Sequence, residues 1–410
     1  MRKKQFSQKA KNALLLGGMC SVAYLAVYVA RNALSAASPQ ILQGGVFNTE
    51  QIGNMSSVYF ITYAIGQLIN GTIGDKVKGK YMISFGLMLA AIGNFALPYL
   101  SGSPSLAVAF YGFSGFCLAM IYGPMTKMVA ENAEEYAAKC SVGYTLASLL
   151  GSPVAGLVAA AVSWRSVFFT SGGILLAMGM ICLMVFALYE KQGVIRYGKY
   201  QQKEKQFSKD GIKLLIKRQI IRFTLVAILT GVVRTTVVFW LPTYLSEYLQ
   251  FSPDTAALIF TVATLVLSAS VFFAVFAQEK LRNMQKVLLI AFVCSAVCFL
   301  AVFFVQQKVA NIVLLVLAIL FGNGASNVMW SYYCPSLRDT GMVSGATGFL
   351  DFCSYMAASA ASKIFANAVG DVGWKGLVLA WFVLMVCGVA VSLPAEKLKI
   401  KSKIIKGGRI

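Results

Sequence analysis

Twelve apolar stretches run through this chain, and no water-soluble fold could bury them all. A helix needs about 20 apolar residues to cross the hydrocarbon core of a bilayer. Stretches of that length fall at 13–38, 51–73, 81–101, 104–128, 140–162 and 166–188. Six more fall at 219–245, 255–277, 286–305, 309–333, 342–365 and 376–394. Since 58% of the residues are hydrophobic and only 12% charged, a soluble surface would be largely apolar. The expected fold class is therefore all-α integral membrane, with twelve transmembrane helices.

The net charge of +21 invites a nucleic-acid reading. The positions of the basic residues argue against it, and no nucleic acid is expected as a partner. Arg2, Lys3 and Lys4, then Lys76, Lys78 and Lys80, the 191–222 cluster and the tail Lys397–Arg409 all fall on one side of the alternating spans. Only Arg165, Lys308, Lys363 and Lys375 fall on the other. By the positive-inside rule both termini are cytoplasmic. A multi-pass protein of a cell membrane, a bacterial inner or plasma membrane, is expected. No cleavable signal pattern precedes the first span. Nine cysteines lie almost wholly within spans, as free buried thiols would. The chain has no histidine, which removes His-ligated metals, Ser–His triads and histidine proton relays. Neither a cofactor nor an enzymatic activity is expected.

The only long polar stretch is 189–218. It separates 1–188 from 219–410, giving six spans before it and six after. Two six-helix bundles related by pseudo-two-fold symmetry, joined by a cytoplasmic linker, are the layout of major-facilitator transporters. The second half also repeats particular residues of the first. Gly143 and Gly345 open equivalent spans, Pro124 is loosely matched by Pro335, and Arg31 is matched by Arg234 about half a chain away. Gly143, Ala147, Ser148, Gly151, Ala155 and Gly156, with their small counterparts from Gly345 to Ala361, suit close helix packing between moving halves.

Arg31 and Arg234 lie mid-span, each followed at the same spacing by a proline, Pro39 or Pro242. A charge at the bilayer centre costs about 3 kcal/mol on insertion scales, so such residues usually mark function. Asp351 is the one other charge deep in a span. A buried Arg–Asp pair could simply hold helices together. Two cations against one acid leave an excess positive charge, which points to an anionic ligand. Guanidinium offers a planar fork suited to phosphate or carboxylate. Tyr24 and Tyr28 share a helical face with Arg31, and Tyr63 and Gln67 add polar groups at similar depth. Asn323, Asn327, Tyr332 and Tyr333 are candidates for an opposite wall.

The loop after the second span carries Gly71, Asp75, Lys76, Gly79 and Lys80. As letters 74–80 approach a P-loop, but Tyr81 replaces the required Ser/Thr and no strand precedes it. The stretch resembles instead the loop signature of the major facilitator superfamily, glycine, aspartate, then basic residues. Asp75 would pair across a gate and Gly71 would permit close contact there.

Tyr24, Tyr28, Arg31 and Pro39, with Tyr63, Asp75 and the run from Arg234 through Trp240, Pro242 and Tyr244, resemble the organophosphate–phosphate antiporters of that superfamily. The resemblance implies exchange of inorganic phosphate for glycerol 3-phosphate or sugar phosphates by alternating access. It also implies that Arg31 and Arg234 hold the phosphate, with Tyr24, Tyr28 and Tyr63 around them. This chain departs from the pattern at Asn32 and Gln67, where family members often carry lysine, and in lacking the histidine of the glycerophosphate type near Gly143. It adds Asp351, expected to pair with Arg234 when the site is empty. The expected partners are a small anionic substrate, phosphate ester or inorganic phosphate, and the lipid bilayer; a monomer is expected. Two alternatives keep the fold: a proton-coupled carriage of organic carboxylate in which Asp351 titrates, and a non-transporting sugar-phosphate sensor.

Overall fold

A computed structural model describes residues 8–74, 77–197, 209–337 and 343–393, and among these there is no strand. The first six long helices are α1 (Gln8–Gln43), α2 (Thr49–Gly74), α3 (Gly79–Ala96), α4 (Pro104–Asn132), α5 (Ala137–Ala161) and α6 (Trp164–Lys191). A short amphipathic helix, α7 (Lys209–Lys217), lies in the stretch read from sequence only as polar linker. The second set is α8 (Ile220–Tyr248), α9 (Pro253–Leu281), α10 (Met284–Phe304) and α11 (Lys308–Ser336). Then comes the run Val343–Ser392.

That last run is two helices. Gly373, at φ 67° and ψ 178°, occupies a region open essentially to glycine alone, and it divides the run into α12 (343–372) and α13 (374–392). By length and composition ten candidate spans are evident among the described residues, with α12 and α13 counted together. α2 completes the twelve; it is 26 residues long but carries Gln51, Asn54, Ser56, Ser57, Gln67 and Asn70, and so is polar for a span.

The chain forms two compact units that cut across the sequence halves. The first runs through Glu204 and adds Phe239–Leu265 and Ser359–Asn367. The second holds Lys205–Val238, Val266–Ala358 and the chain from Ala368. α8, α9 and α12 are thus each shared between units.

Small residues and hydroxyls explain the first unit's composition. A Cβ on Gly151 of α5 would collide with the Cβ and backbone of Tyr28, so glycine lets α5 lie directly against α1 there. Further along α1, the Ser35 hydroxyl donates to the Phe239 carbonyl at 2.6 Å, and Ser38 pairs with Thr243 at 2.8 Å. On α2, Ser57 pairs with Ser359 at 3.0 Å, and Ser56 pairs with Ser362. Gly53 lies against Ala366, and Gly156 of α5 against Thr261. In lipid, such close backbone approach and interhelical hydrogen bonding replace the hydrophobic drive available in water. This seam ties the second-half segments to α1, α2 and α5. Of the small residues for which close packing is expected in the eleventh span, Ala346, Ala358 and Ala361 are buried. The expectation fails at Gly345 and Gly348, where nothing lies within 4 Å of an added Cβ.

In the second unit, Gly231 of α8 packs on Ser354 of α12 with no room for a Cβ, and Thr236 donates to the Ala358 carbonyl at 2.9 Å. The two helices are parallel and in contact along this stretch. α8 widens to π-helical geometry at Val232–Val237 and Tyr244–Tyr248, and α11 does so at Met329–Tyr333. Such segments occur often at functional sites.

Candidate functional site

Arg31 projects from regular α-helix into an aromatic enclosure. Its guanidinium carbon lies 5.2 Å from the Tyr28 ring, 5.2 Å from the Tyr63 ring and 5.9 Å from the Phe60 ring. All three fall within the roughly 6 Å at which a ring face attracts a cation. Tyr28 arises one turn earlier on the same face of α1, while Phe60 and Tyr63 share a face of α2. Behind them, Tyr24 meets Tyr28 edge-on at 5.0 Å and Tyr122 at 5.6 Å. Tyr63 stacks at 6.2 Å on Tyr59, which meets Tyr111 at 4.9 Å, and the Tyr111 hydroxyl donates to the Arg31 carbonyl at 3.4 Å. Asn32 points its amide back to the Tyr28 carbonyl at 2.7 Å. Tyr24, Tyr28 and Tyr63 are therefore brought together with Arg31. Gln67, half-buried one turn beyond Tyr63, makes no hydrogen bond among the described residues.

Arg234 sits within the first π-helical stretch of α8. Its Nη2 lies 3.8 Å from Asp351 Oδ1, a charge contact longer than a hydrogen bond. The two side chains are 32% and 25% exposed. Nη2 itself is buried and has no hydrogen-bond acceptor among the described residues. The Trp330 ring lies 5.8 Å from the guanidinium carbon and the Tyr355 ring 5.9 Å. Helical side chains lean toward the N-terminus of their helix. That lean carries Arg234 toward Asp351, which lies two turns before Ala358 on α12. The sequence reading paired Arg234 with Asp351, and the structure brings them together.

The opposite-wall residues divide. The Asn327 amide donates to Ser270 of α9 at 3.0 Å and serves helix packing. Tyr333 stacks on Phe223 at 3.5 Å between centroids and donates to the Arg218 carbonyl at 3.0 Å, so it too is structural. Asn323 differs, because its Oδ1 is buried with no donor among the described residues. The sequence reading missed Phe60, Trp330 and Tyr355. Each carried a periodic signal: Phe60 is three residues before Tyr63, Tyr355 is four after Asp351, and Trp330 is seven after Asn323.

At the end of α2, Gly71 lies in the helix's final turns, while Asp75 and Lys76 lie outside the described residues. The basic residues that follow are engaged locally. Lys78 and Lys80 both reach Glu190 at the end of α6, at 2.8 and 2.5 Å. The Lys80 amide donates to the Tyr197 hydroxyl at 3.3 Å, and burial pushes that phenol up to about 12.

Comparison with known proteins bears on the family and the fold. A sequence profile of the Major Facilitator Superfamily matches residues 20–362. The chain is 26% identical over 255 residues to the glycerol-3-phosphate transporter of Bacillus subtilis (strain 168), a match covering 57% of each chain. The chain thus spans little more than half of that relative's length. It is 22% identical over 386 residues to the phosphoglycerate transporter protein of Salmonella typhimurium (strain LT2), covering 86% of this chain and 82% of the relative. The crystal structure of a D-xylose-proton symporter superposes with a TM-score of 0.73 at 15% identity, over 92% of this chain and 96% of the other. At that identity the likeness speaks for fold alone.

Proposed function

The chain belongs to the major facilitator superfamily, and on that premise we propose that it carries an organophosphate, a sugar or glycerol phosphate, in exchange for inorganic phosphate by alternating access. As a member of that superfamily it is a multi-pass membrane transporter, not an enzyme. The observation that carries the proposal is the pair of mid-span guanidiniums set among aromatic rings, with the Nη2 donor of Arg234 buried and lacking an acceptor among the described residues. A buried donor without a partner costs free energy that a substrate oxygen would recover. Relatives named for glycerol 3-phosphate and phosphoglycerate favour a phosphate ester as that substrate.

In this reading Arg31 and Arg234 each give a bidentate fork to the phosphate, and Tyr24, Tyr28 and Tyr63 keep the Arg31 side rigid. The Asn323 Oδ1 acceptor takes a hydroxyl of the organic part, with Gln67 as a further polar contact. The termini face the cytoplasm, Gly71, Asp75 and Lys76 belong to the cytoplasmic gate, and 1–188 moves against 219–410 about the 189–218 linker. Radiolabelled phosphate counterflow in proteoliposomes, against a panel of phosphate esters and carboxylates, tests this. Stimulation by a phosphate ester is expected. Counterflow driven only by carboxylates sinks the substrate class, and ester binding without any counterflow marks a sensor instead.

A further inference from the structure

We propose that Asp351 is a resident counter-anion for Arg234, which occupies the guanidinium between transport cycles and lets the substrate-free carrier return. Exchange is then not compulsory, and the protein also catalyses net movement of its substrate. The inference rests on the reading above, in which Arg234 binds the substrate's anionic group.

The geometry separates charge compensation from hydrogen bonding. At 3.8 Å the Asp351 carboxylate neutralises Arg234 through space without taking its Nη2 donor. A phosphate oxygen can therefore add to the guanidinium while the acid stays in place. The acid is also not free to leave. Gly231 against Ser354 and Thr236 against Ala358 pack α8 on α12 close to Asp351, so the backbones that carry the two charges are held side by side. α12 presents Asp351 and Tyr355 one turn apart on one face, and both meet the same guanidinium.

For a carrier this arrangement has a definite consequence. A lone guanidinium moving through a low-dielectric surrounding without an anion is costly, which is what makes a strict exchanger wait for counter-substrate. With Asp351 beside it, Arg234 contributes no uncompensated charge to the substrate-free protein. The same carboxylate repels an incoming dianion, so it lowers affinity as it permits return.

The test uses the full chain in proteoliposomes loaded with radiolabelled inorganic phosphate. Release is followed into buffer without substrate and into buffer with unlabelled glycerol 3-phosphate, and the ratio of the two rates is the readout. Wild type is expected to release label in both. Removing one unit charge at this distance in Asp351→Asn is expected to lower the ratio by about tenfold and to tighten phosphate binding. Asp351→Glu should restore the ratio. A melting curve in detergent establishes that each variant is folded, and Asp351→Ser replaces Asp351→Asn if the latter is not. An unchanged ratio in the folded neutral variant overturns the proposal while leaving phosphate transport intact. A wild type that exchanges no phosphate ester fails the underlying reading instead. Release that follows an imposed pH gradient in wild type but not in Asp351→Asn also overturns it, because the acid would then be titrating.

Discussion

Around Arg31 the helix is regular and three aromatic rings stand within 6 Å of the guanidinium. Around Arg234 the helix widens to π-helical geometry, and a carboxylate joins the rings. The two arginines stand at equivalent points of two sequence repeats. The repeat has preserved the charge but not its surroundings. An extra residue in a helical turn rotates everything beyond it relative to α-helical register. Arg234 can therefore be aimed at α12 in a way that its counterpart on α1 does not share. Glycine supports both sites from different places: Gly151 stands behind Tyr28 on a neighbouring helix, whereas Gly231 lies on Arg234's own helix.

If both arginines act as forks, lysine cannot replace either. Arg31→Lys and Arg234→Lys are each expected to lower phosphate counterflow by about 100-fold, the loss of a bidentate, charge-assisted contact. Full activity in one of them would break the equivalence of the two positions and leave a single anchoring arginine.

The glycine contacts come next in size. Gly231→Ala and Gly151→Ala force a methyl into occupied space and should each cost about 1–3 kcal/mol, read as a lower melting temperature in detergent. Gly345→Ala, facing open space, should melt like wild type. A Gly231→Ala protein of undiminished stability would show that α8 and α12 are not held in contact there.

Smaller effects separate the aromatic surroundings. Tyr63→Leu and Tyr355→Leu should each remove about 1 kcal/mol of cation–π attraction and raise the KM for phosphate, with a lower melting temperature as well because both rings are buried. A larger rise for Tyr63 than for Tyr355 is expected, because Tyr63 lies closer to its arginine, at 5.2 against 5.9 Å. Asn323→Ala should weaken glycerol phosphate by about 1 kcal/mol, one neutral hydrogen bond, and leave inorganic phosphate unaffected. Asn327→Ala, which loses only the bond to Ser270, should change stability and not KM.

The helices, both arginines, Asp351 and the three tyrosines were legible in the sequence, because an apolar run and a charge inside it are each local signals. The pairing of Arg234 with Asp351 followed from charge balance alone. Phe60, Trp330 and Tyr355 were harder, since an aromatic residue in a span reads equally as core, interfacial anchor or lining until a cation is placed beside it. Asn327 and Tyr333 show the converse: polar groups at plausible depth whose hydrogen bonds are already used by neighbouring helices. The π-helical stretches left no mark in the periodicity of α8. Nor did any composition shift announce that Phe239–Leu265 would pack with the first unit; Ser35, Ser38 and Thr243 look unremarkable until they meet.

The seam built from those hydroxyls has an energetic property that an apolar seam would lack. A serine or threonine hydroxyl bonds to water about as well as to another hydroxyl, so wetting the seam trades one partner for another at small net change. Leucines in the same places would resist wetting in proportion to the area exposed. Ser38–Thr243, Ser57–Ser359 and Ser56–Ser362 thus specify which helices meet and in what register while adding little to the work of parting them.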